Sequence, residues 1–263
     1  MNYLQLQVVH QVATVTLNRP DVRNAFNDEM ILEVTQIFLN LTARDDVRCI
    51  VLAAAGKAFC AGADLNWMRS MADYTYEQNL VDAGRLATMM RTVYECSKPT
   101  IARIQGDVYA GGMGLVAACD MAVATDTAGF CLSEVKLGLL PSTISPYVIR
   151  AIGARAAHRY FLTAERFTAA EALRIGFVHE VVTADALDAK VAELSTALVN
   201  AGPTAVAACK KLVHDVAGFD ITPDLIKMTV ASIADVRVSA EGREGLQAFL
   251  QKRKASWLPE SNS

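Results

Sequence analysis

The feature that most constrains the fold is an alternation of two hydrophobic patterns along the first two thirds of the chain. Short apolar runs, of the length of buried strands, recur at residues 49–53, 100–104, 121–124 and 177–182. Helical patterns lie between them, for example at residues 80–94 and 168–175. Strands that alternate with helices predict an α/β architecture.

The N-terminal residues predict a β-hairpin followed by a helix. Residues 4–17 alternate apolar and polar side chains, and this alternation breaks near His10 and Gln11. Pro20 follows the second strand, which it ends because proline has no N–H to donate to a ladder. Residues 28–41 then carry apolar side chains at helical spacing, with Asn27 as the predicted N-cap.

The last quarter of the chain lacks the strand pattern and predicts a helical region. Four helical patterns occupy residues 184–200, 204–216, 223–236 and 240–254, and Gly202-Pro203, Gly218 and Ser239 separate them. We therefore predict a core of residues 1–198 and a C-terminal helical region of residues 199–263. Such an appendage packs on another part of the molecule or on another subunit. The Ser/Asn tail after Pro259 is predicted to be disordered.

Composition and charge exclude several classes of protein. The chain has 263 residues, of which 52% are hydrophobic, enough for one large domain with an appendage. The net charge of −3 and the pI of about 5.8 argue against nucleic acid or an anionic membrane as the main partner. The apolar runs are far shorter than the roughly 20 residues of a membrane span, and the N-terminus lacks signal-peptide features. These features predict a cytoplasmic protein.

The six cysteines, Cys49, Cys60, Cys96, Cys119, Cys131 and Cys209, are scattered and form no C-x-x-C motif. The four histidines are also dispersed. Most of the cysteines are therefore expected to be small buried residues in a reducing compartment, and no metal site is predicted.

Two runs of small residues, Phe59–Leu65 and Ala110–Gly114, stand where a strand should end and a helix begin. Such a bend lets a ligand approach the backbone and directs unbonded N–H groups at an oxygen that gains negative charge. Two bends of this kind can supply the paired donors of an oxyanion hole. The sequence therefore predicts chemistry on a carbonyl compound such as a thioester. No G-x-G-x-x-G, Walker lysine or G-x-S-x-G motif supports another catalytic class.

Several ordered motifs carry a resemblance to a known family. They are residues 57–65, Lys98-Pro99-Thr100, the Gly111-Gly112 turn, Cys119-Asp120, residues 134–141 and the C-terminal run 241–253. Together they resemble the crotonase (enoyl-CoA hydratase/isomerase) superfamily from about residue 4 to residue 257. Residues 61–68 and 114–121 are similar to bacterial methylglutaconyl-CoA-type hydratases, which act in leucine and acyclic-terpene breakdown.

The resemblance implies a fold, a substrate class and an assembly. The expected fold is a spiral of β-β-α turns followed by a C-terminal helical trimerisation region. The expected partner is an acyl-CoA thioester, with coenzyme A entering as part of the substrate and no permanently bound cofactor. The chain is expected to form trimers, or hexamers built as dimers of trimers.

The resemblance also assigns roles to individual residues. It implies that the N–H groups of Ala63 and Gly111 hold the thioester oxygen. The residues expected to contact coenzyme A are Ala25 in the 23–26 loop, Ala61, Asp64, Leu65 and Asn66, and, near the C-terminus, Phe249 and Lys252. Lys252 would oppose a phosphate, where a point cation suffices.

The expected acid–base machinery departs from the family pattern at one position. Family hydratases use two glutamates, and Glu134 matches the second, whereas Gly114 occupies the place of the first. Glu134 would deprotonate water and return a proton to the α-carbon, and a desolvated pocket should raise its pKa. We further expect Gly114 to leave room for a bulkier or carboxylated acyl group, such as 3-methylglutaconyl.

Alternatives remain open at this stage. A Δ3,Δ2-enoyl-CoA isomerase or another one-base crotonase reaction is one alternative, and a catalytically silent or RNA-binding homologue is a rival of another class. Ser142 or Thr143 is expected to cap the following helix, or else to contact a polar substrate tail. Tyr109 is either a packed aromatic residue or part of the pocket wall.

Overall fold

A computed structural model describes residues 2–258 and confirms the predicted α/β architecture. The predicted disorder of the tail after Pro259 lies outside the described residues. The strands are β1 (Leu4–Val9), β2 (Val12–Leu17), β3 (Cys49–Ala54), β4 (Thr100–Ile104), β5 (Val108–Tyr109), β6 (Met121–Thr125), β7 (Gly129–Cys131), β8 (Phe167–Thr168) and β9 (Glu180–Val182).

Helices connect these strands and form the whole C-terminal part of the described chain. They are α1 (Asp28–Thr42), α2 (Leu65–Ala72), α3 (Tyr76–Tyr94), α4 (Gly111–Ala117), α5 (Ser145–Thr163), α6 (Ala169–Arg174), α7 (Leu187–Asn200), α8 (Pro203–Val216), α9 (Pro223–Val238) and α10 (Ala240–Leu250). Two 3₁₀ turns, Pro20–Val22 and Glu134–Leu137, lie beside the bends described below. None of the helices in residues 2–258 is both long and apolar enough to cross a bilayer.

The main sheet has six strands in the order β1-β2-β3-β4-β6-β9. The predicted hairpin is confirmed: β1 and β2 are antiparallel, and His10 and Gln11 form its two-residue turn with φ of 48° and 64°. All other neighbouring pairs are parallel. Because parallel strands place their carboxyl ends at one edge, the segments that follow β3 and β4 lie at the same side of the sheet.

The sheet is covered on both faces, as the side chains of β3 show. Ile50 and Leu52 belong to the main hydrophobic core, which also contains α1 and α3 residues. Cys49 and Val51 point to the opposite face, where they pack with Leu187 and Val191 of α7, among others. A strand buried on both faces reads as a continuous apolar run, which is why it could be predicted. The predicted N-cap is also confirmed, because the Asn27 side chain accepts a hydrogen bond from the Met30 N–H.

A second sheet, β5-β7-β8, was not predicted. Its strands have two or three residues each, too few to show an alternation. The predicted strand at 177–182 is reduced to Glu180–Val182, and the predicted helix at 184–200 begins at Leu187. The small sheet matters for the site because β5 leads directly into the second bend and β7 leads towards Glu134.

The C-terminal helices pack far less tightly than the rest of the chain. Neither α8 nor α9 contains a buried residue, and α10 buries only Ala248. By contrast, α7 packs on the main sheet, so the predicted boundary at residue 198 falls inside a helix that belongs mostly to the core.

The expected cap of α5 is wrong. The helix begins at Ser145 with Ile144 as its N-cap, and no side chain accepts a capping hydrogen bond there. The Ser145 hydroxyl instead donates to the Ser142 carbonyl at 2.8 Å. Pro146 in the first turn, which has no N–H to satisfy, reduces the need for such a cap.

Candidate active site at two backbone bends

The first bend orients the Ala63 N–H through a short parallel bridge with Phe26. The Phe26 N–H donates to the Gly62 carbonyl, and the Asp64 N–H donates to the Phe26 carbonyl, both at 2.7 Å. In such a bridge the N–H of the intervening residue, Ala63, points away from the partner. Within residues 2–258 this N–H donates no hydrogen bond to another backbone group. It is therefore available to a ligand.

The second bend turns β5 into α4 through a strained residue. Ala110 has φ of 46° and ψ of −119°, a combination that side-chain-bearing residues rarely adopt. Its N–H donates to the Cys131 carbonyl of β7 at 2.9 Å, which fixes the start of the turn. Gly111 is the first residue of α4, so its N–H has no acceptor within the helix. It also donates to no other backbone carbonyl of the described chain.

The two bends are in direct contact. Tyr109 donates its N–H to the Cys60 carbonyl at 2.8 Å, within a parallel bridge between Cys60 and Val108. A Cβ atom at Gly112 would lie 2.8 Å from the Cys60 Cβ, and one at Gly62 would lie 3.0 Å from the Ala110 Cβ. Only glycine permits this approach. The fold thus brings together the two segments that carry the predicted oxyanion donors.

A buried network that sequence reasoning missed holds the first bend in place. Asn24 is completely buried, and its amide donates to the carbonyls of Ala55 and Ala58 at 2.8 and 2.9 Å. Its side-chain oxygen accepts from the Arg19 N–H at 2.8 Å. Asn24 has φ of 54°, which asparagine tolerates better than most residues. No local sequence motif predicts this role of Asn24, because the residues that accept its hydrogen bonds are 31 and 34 positions away.

The Asp64 carboxylate is engaged by the protein itself. One oxygen accepts from the N–H groups of Asn66 and Trp67 and so caps α2, and the other accepts from Arg19 at 2.9 Å. Burial opposes ionisation of this carboxyl, but the hydrogen bonds from Asn66 and Arg19 hold its pKa below the usual range. Asp64 thus orients the bend, and its predicted contact with coenzyme A stays a prediction.

The other predicted coenzyme contacts lie in two places. Ala25 is buried beside the first bend, Ala61 is half-buried, and Leu65 and Asn66 are exposed on the first turn of α2. A polar cavity of about 290 Å³ at this end of α2 is lined by Asp64, Asn66 and Trp67, among others. Phe249 and Lys252 are exposed at the end of α10, which packs on α8 and α9. Their contact with a ligand stays a prediction.

Glu134 begins the 3₁₀ turn three residues after β7, the strand that receives the Ala110 hydrogen bond. Its Oε2 atom is buried and has no hydrogen-bond partner within residues 2–258. Burial raises the pKa of this carboxyl above its ordinary value, as the sequence predicted for a desolvated base. A buried carboxylate oxygen without a partner is costly to folding, and such a group points to a functional role.

The expected free space at Gly114 is not present. A Cβ atom at Gly114 would lie 2.2 Å from Cγ2 and 2.5 Å from Cβ of Ile144, and 3.2 Å from the Met90 Cε. Ile144 and Met90 are both buried in the main core. The expectation was wrong because a residue 30 positions away fills the volume that the glycine leaves. Tyr109 is half-buried in β5, and both interpretations of it remain open.

A larger cavity lies away from both bends. Its volume is about 880 Å³, and it is lined by residues of α5 and α6, including Arg155, Arg159, Tyr160 and Glu171. It contains neither bend and not Glu134. The Glu171 carboxylate there accepts from Tyr160 and Arg174. The hydrogen bonds from Arg174 and Tyr160 lower its pKa to about 2, which indicates a structural ion pair.

Comparisons with known proteins find relatives that match most of this chain. The sequence model described as enoyl-CoA hydratase/isomerase matches residues 8–260. A putative enoyl-CoA hydratase of Thermus thermophilus is 33% identical over 242 residues, which cover 92% of this chain and 95% of that protein.

Two solved structures share the fold closely and confirm the expected crotonase-like architecture. An enoyl-CoA hydratase from Shewanella pealeana is 44% identical with a TM-score of 0.94, covering 97% of this chain and 96% of that one. A putative enoyl CoA hydratase/isomerase (crotonase) from Legionella pneumophila is 43% identical with a TM-score of 0.93, covering 97% and 99%. The chain therefore belongs to the enoyl-CoA hydratase/isomerase family.

Proposed function

We propose that this protein adds water reversibly to the double bond of an α,β-unsaturated acyl-CoA thioester. The observation that carries the proposal is the Glu134 carboxylate, whose buried Oε2 has no partner in the described chain. It follows a strand that is hydrogen-bonded to the second bend. Several of the relatives are named enoyl-CoA hydratases, which supports this reaction class.

The proposed reaction uses the two bends and one carboxylate. The N–H groups of Ala63 and Gly111 hold the thioester oxygen. Glu134 takes a proton from water, the hydroxide adds to the β-carbon, and the double-bond electrons move to the oxygen as an enolate. Glu134 then returns the proton to the α-carbon, so that one water is added in total. A positioned acid–base group contributes about 10²–10⁴-fold, and one oxyanion donor about 10²–10³-fold.

The raised pKa of Glu134 suits both halves of this cycle. The group must be ionised to accept a proton from water and protonated to return it. A base whose pKa lies closer to the working pH is the more effective for both steps. The pKa is raised by burial, which removes water from around the carboxylate.

We place coenzyme A at the first bend and α2. Ala25, Ala61, Leu65 and Asn66 lie there, and the polar cavity beside Asp64 supports a polar part of the coenzyme in this region. The coenzyme would enter as part of the substrate. Phe249 and Lys252 would contact it from the C-terminal region, with Lys252 opposing a phosphate.

We also propose that the helical region, residues 199–263, joins copies of the chain into a trimer or a hexamer. The support comes from large apolar side chains on α9 and α10, which are well exposed in the single chain. Ile226, Val230 and Ile233 form such a stripe on α9, and Phe249 and Leu250 end α10. Exposed apolar surface of this extent is typical of an interface.

For the acyl group we propose a branched or carboxylated chain such as 3-methylglutaconyl. The support is the similarity of residues 61–68 and 114–121 to methylglutaconyl-CoA-type hydratases. Space at Gly114 gives no support, because Ile144 fills it.

The second candidate is a Δ3,Δ2-enoyl-CoA isomerase. A single carboxylate that moves one proton between two carbons of the substrate is sufficient for this reaction. The observation that favours it is the apolar Ile144 contact at Gly114, which excludes a second acid group there.

A panel of acyl-CoA thioesters tests these candidates. We expect loss of the thioester enone absorbance with 3-methylglutaconyl-CoA, at a higher kcat/KM than with crotonyl-CoA. Faster turnover of crotonyl-CoA would contradict the acyl-group assignment. Reactions in deuterated water separate the chemistries, since hydration forms a β-hydroxyl group and isomerisation only moves the double bond. The Glu134→Gln variant serves as the control with impaired proton transfer.

A further inference from the structure

Gly114 and Ile144 are in close contact, and this contact is separate from the two oxyanion bends and from Glu134. The Cβ position of residue 114 overlaps both Cβ and Cγ2 of Ile144, at 2.5 and 2.2 Å. Real Cβ atoms do not approach other atoms this closely. Ile144 is only 2% exposed and belongs to the main core, so it has no free space into which it can move.

This contact joins the helix that follows one oxyanion donor to the end of the loop that carries Glu134. Gly114 stands three residues after Gly111 on α4, and residues at this spacing share a helix face about 5–6 Å apart. Ile144 ends the segment that Glu134 begins, and this segment folds back because the Leu139 N–H donates to the Glu134 carbonyl at 3.1 Å. Ile144 therefore contacts α4 one helical turn after an oxyanion donor, and it ends the loop that carries the base.

We propose that Ile144 is a specificity-determining residue that occupies the place of a side chain at position 114. Its side chain excludes a side chain at position 114 and so leaves Glu134 as the one acid–base group of the site. Residue 114 can carry a side chain, a carboxylate included, only when residue 144 gives up its own. The Met90 Cε, at 3.2 Å, is the flexible end of a side chain and can adjust.

A stability cycle tests the contact without reference to any activity. Gly114→Ala is introduced into the parent and into the Ile144→Gly variant. Alanine at position 144 would not suffice, because its Cβ stays 2.5 Å from the new methyl group. We expect Gly114→Ala to lower Tm by about 4 °C or more in the parent and by about 1 °C or less in the Ile144→Gly background. Equal shifts in the two backgrounds would overturn the proposal.

Gly84 supplies the matched control for the added methyl group. It lies within α3, its φ is not positive, and a Cβ there would meet no atom within 4 Å. Gly84→Ala should leave Tm unchanged or raise it in both backgrounds, since alanine favours the helix. If Gly84→Ala lowers Tm as much as Gly114→Ala does, the contact with Ile144 is not the cause.

The second arm tests the consequence for catalysis and rests on the proposed function. The pH profile of kcat/KM is measured for the parent, Ile144→Gly and the double variant G114E/I144G. We expect one ionisation in the first two and a second, new ionisation in the double variant, because a carboxylate can then stand at position 114. If the folded double variant keeps a single ionisation, the proposed role of Ile144 in acid–base chemistry is wrong.

The stability cycle and the pH profile distinguish failure of the proposed contact from failure of the proposed function. If the parent turns over no acyl-CoA thioester, the proposed function fails and the stability cycle still decides whether Ile144 occupies the place of residue 114. If the double variant does not fold, the alanine cycle gives the same decision. A parent that already shows two ionisations of kcat/KM would contradict the single acid–base group directly.

Discussion

Helices α4 and α9 contrast in what surrounds them. Five of the seven residues of α4 are buried, although three of the seven are glycines and the helical propensity is poor. None of the sixteen residues of α9 is buried, although its sequence favours a helix and carries an apolar stripe. Packing within the chain therefore determines α4, which carries the site. By contrast, α9 is at most half-buried, and its stripe of Ile226, Val230 and Ile233 lies exposed in the single chain.

The largest effect is expected in the region of α4, for Glu134→Gln. We expect kcat/KM to fall about 10²–10⁴-fold, because glutamine can neither accept nor return a proton. The chain should remain folded, since Oε2 of Glu134 makes no hydrogen bond that the substitution would break. Full turnover by this variant would show that the α4 region does not carry the catalytic site. The contrast between α4 and α9 would then not hold.

The same substitution has a pH signature in stability. The folded pKa of Glu134 is raised above the ordinary 4.5 by burial, so the unfolded chain loses this proton at lower pH than the folded chain does. The free energy of unfolding of the parent should therefore decrease as pH rises from about 4.5 through the raised pKa. The Glu134→Gln variant has no carboxyl group to ionise at this position, so its free energy of unfolding should not decrease in this way. It should therefore be the more stable protein at neutral pH. Urea unfolding at acidic and neutral pH measures the difference.

The contrast between α4 and α9 also explains which parts of the structure could be predicted from the sequence. The hairpin, the central strands, the Asn27 cap and the C-terminal helices follow from local periodicity, and all of them were predicted. The runs of small residues indicated the two bends, since glycine is needed where backbones approach closely. The Asn24 network and the Ile144 contact could not be predicted, because each joins residues about 30 positions apart and leaves no periodic pattern.

The next largest effect concerns how α8 is attached to the core. The Lys210 side chain is 8% exposed and donates to the Asp120 carboxylate at 2.8 Å. Asp120 also accepts from the N–H and the hydroxyl group of Thr100. We expect Lys210→Met to cost about 1–3 kcal/mol in urea unfolding, because it leaves a half-buried carboxylate without its cation.

The neighbouring lysine is the control for this attachment. Lys211 is exposed and pairs with Asp215 one turn away on the same helix. Lys211→Met should change the free energy of unfolding by less than about 0.5 kcal/mol. Equal losses for the two lysines would indicate a general charge effect rather than a specific bond between α8 and the core.

A smaller effect is expected where α10 supports α8. The two oxygens of Glu241 accept from the N–H groups of Thr204 and Ala205 at 2.9 and 2.8 Å, and so satisfy the first turn of α8. Glu241→Gln removes the charge that favours a helix N-terminus and one of the two acceptors. We expect a loss of about 0.5–2 kcal/mol in urea unfolding. Glu95→Gln, in an exposed pair with Arg91, should have almost no effect.

The smallest effect on the single chain is expected on the α9 stripe, for Val230→Gln. Val230 is 61% exposed, and glutamine favours a helix at least as well, so the free energy of unfolding of the dissociated chain should change by less than about 0.5 kcal/mol. A stripe that is buried between copies would behave differently at high protein concentration, where the variant should unfold earlier than the parent and show a lower mass in light scattering. The two proteins are therefore compared over a dilution series. A loss above about 1 kcal/mol that persists at every dilution would mean that α9 is covered by its own chain, and the contrast with α4 would then be wrong.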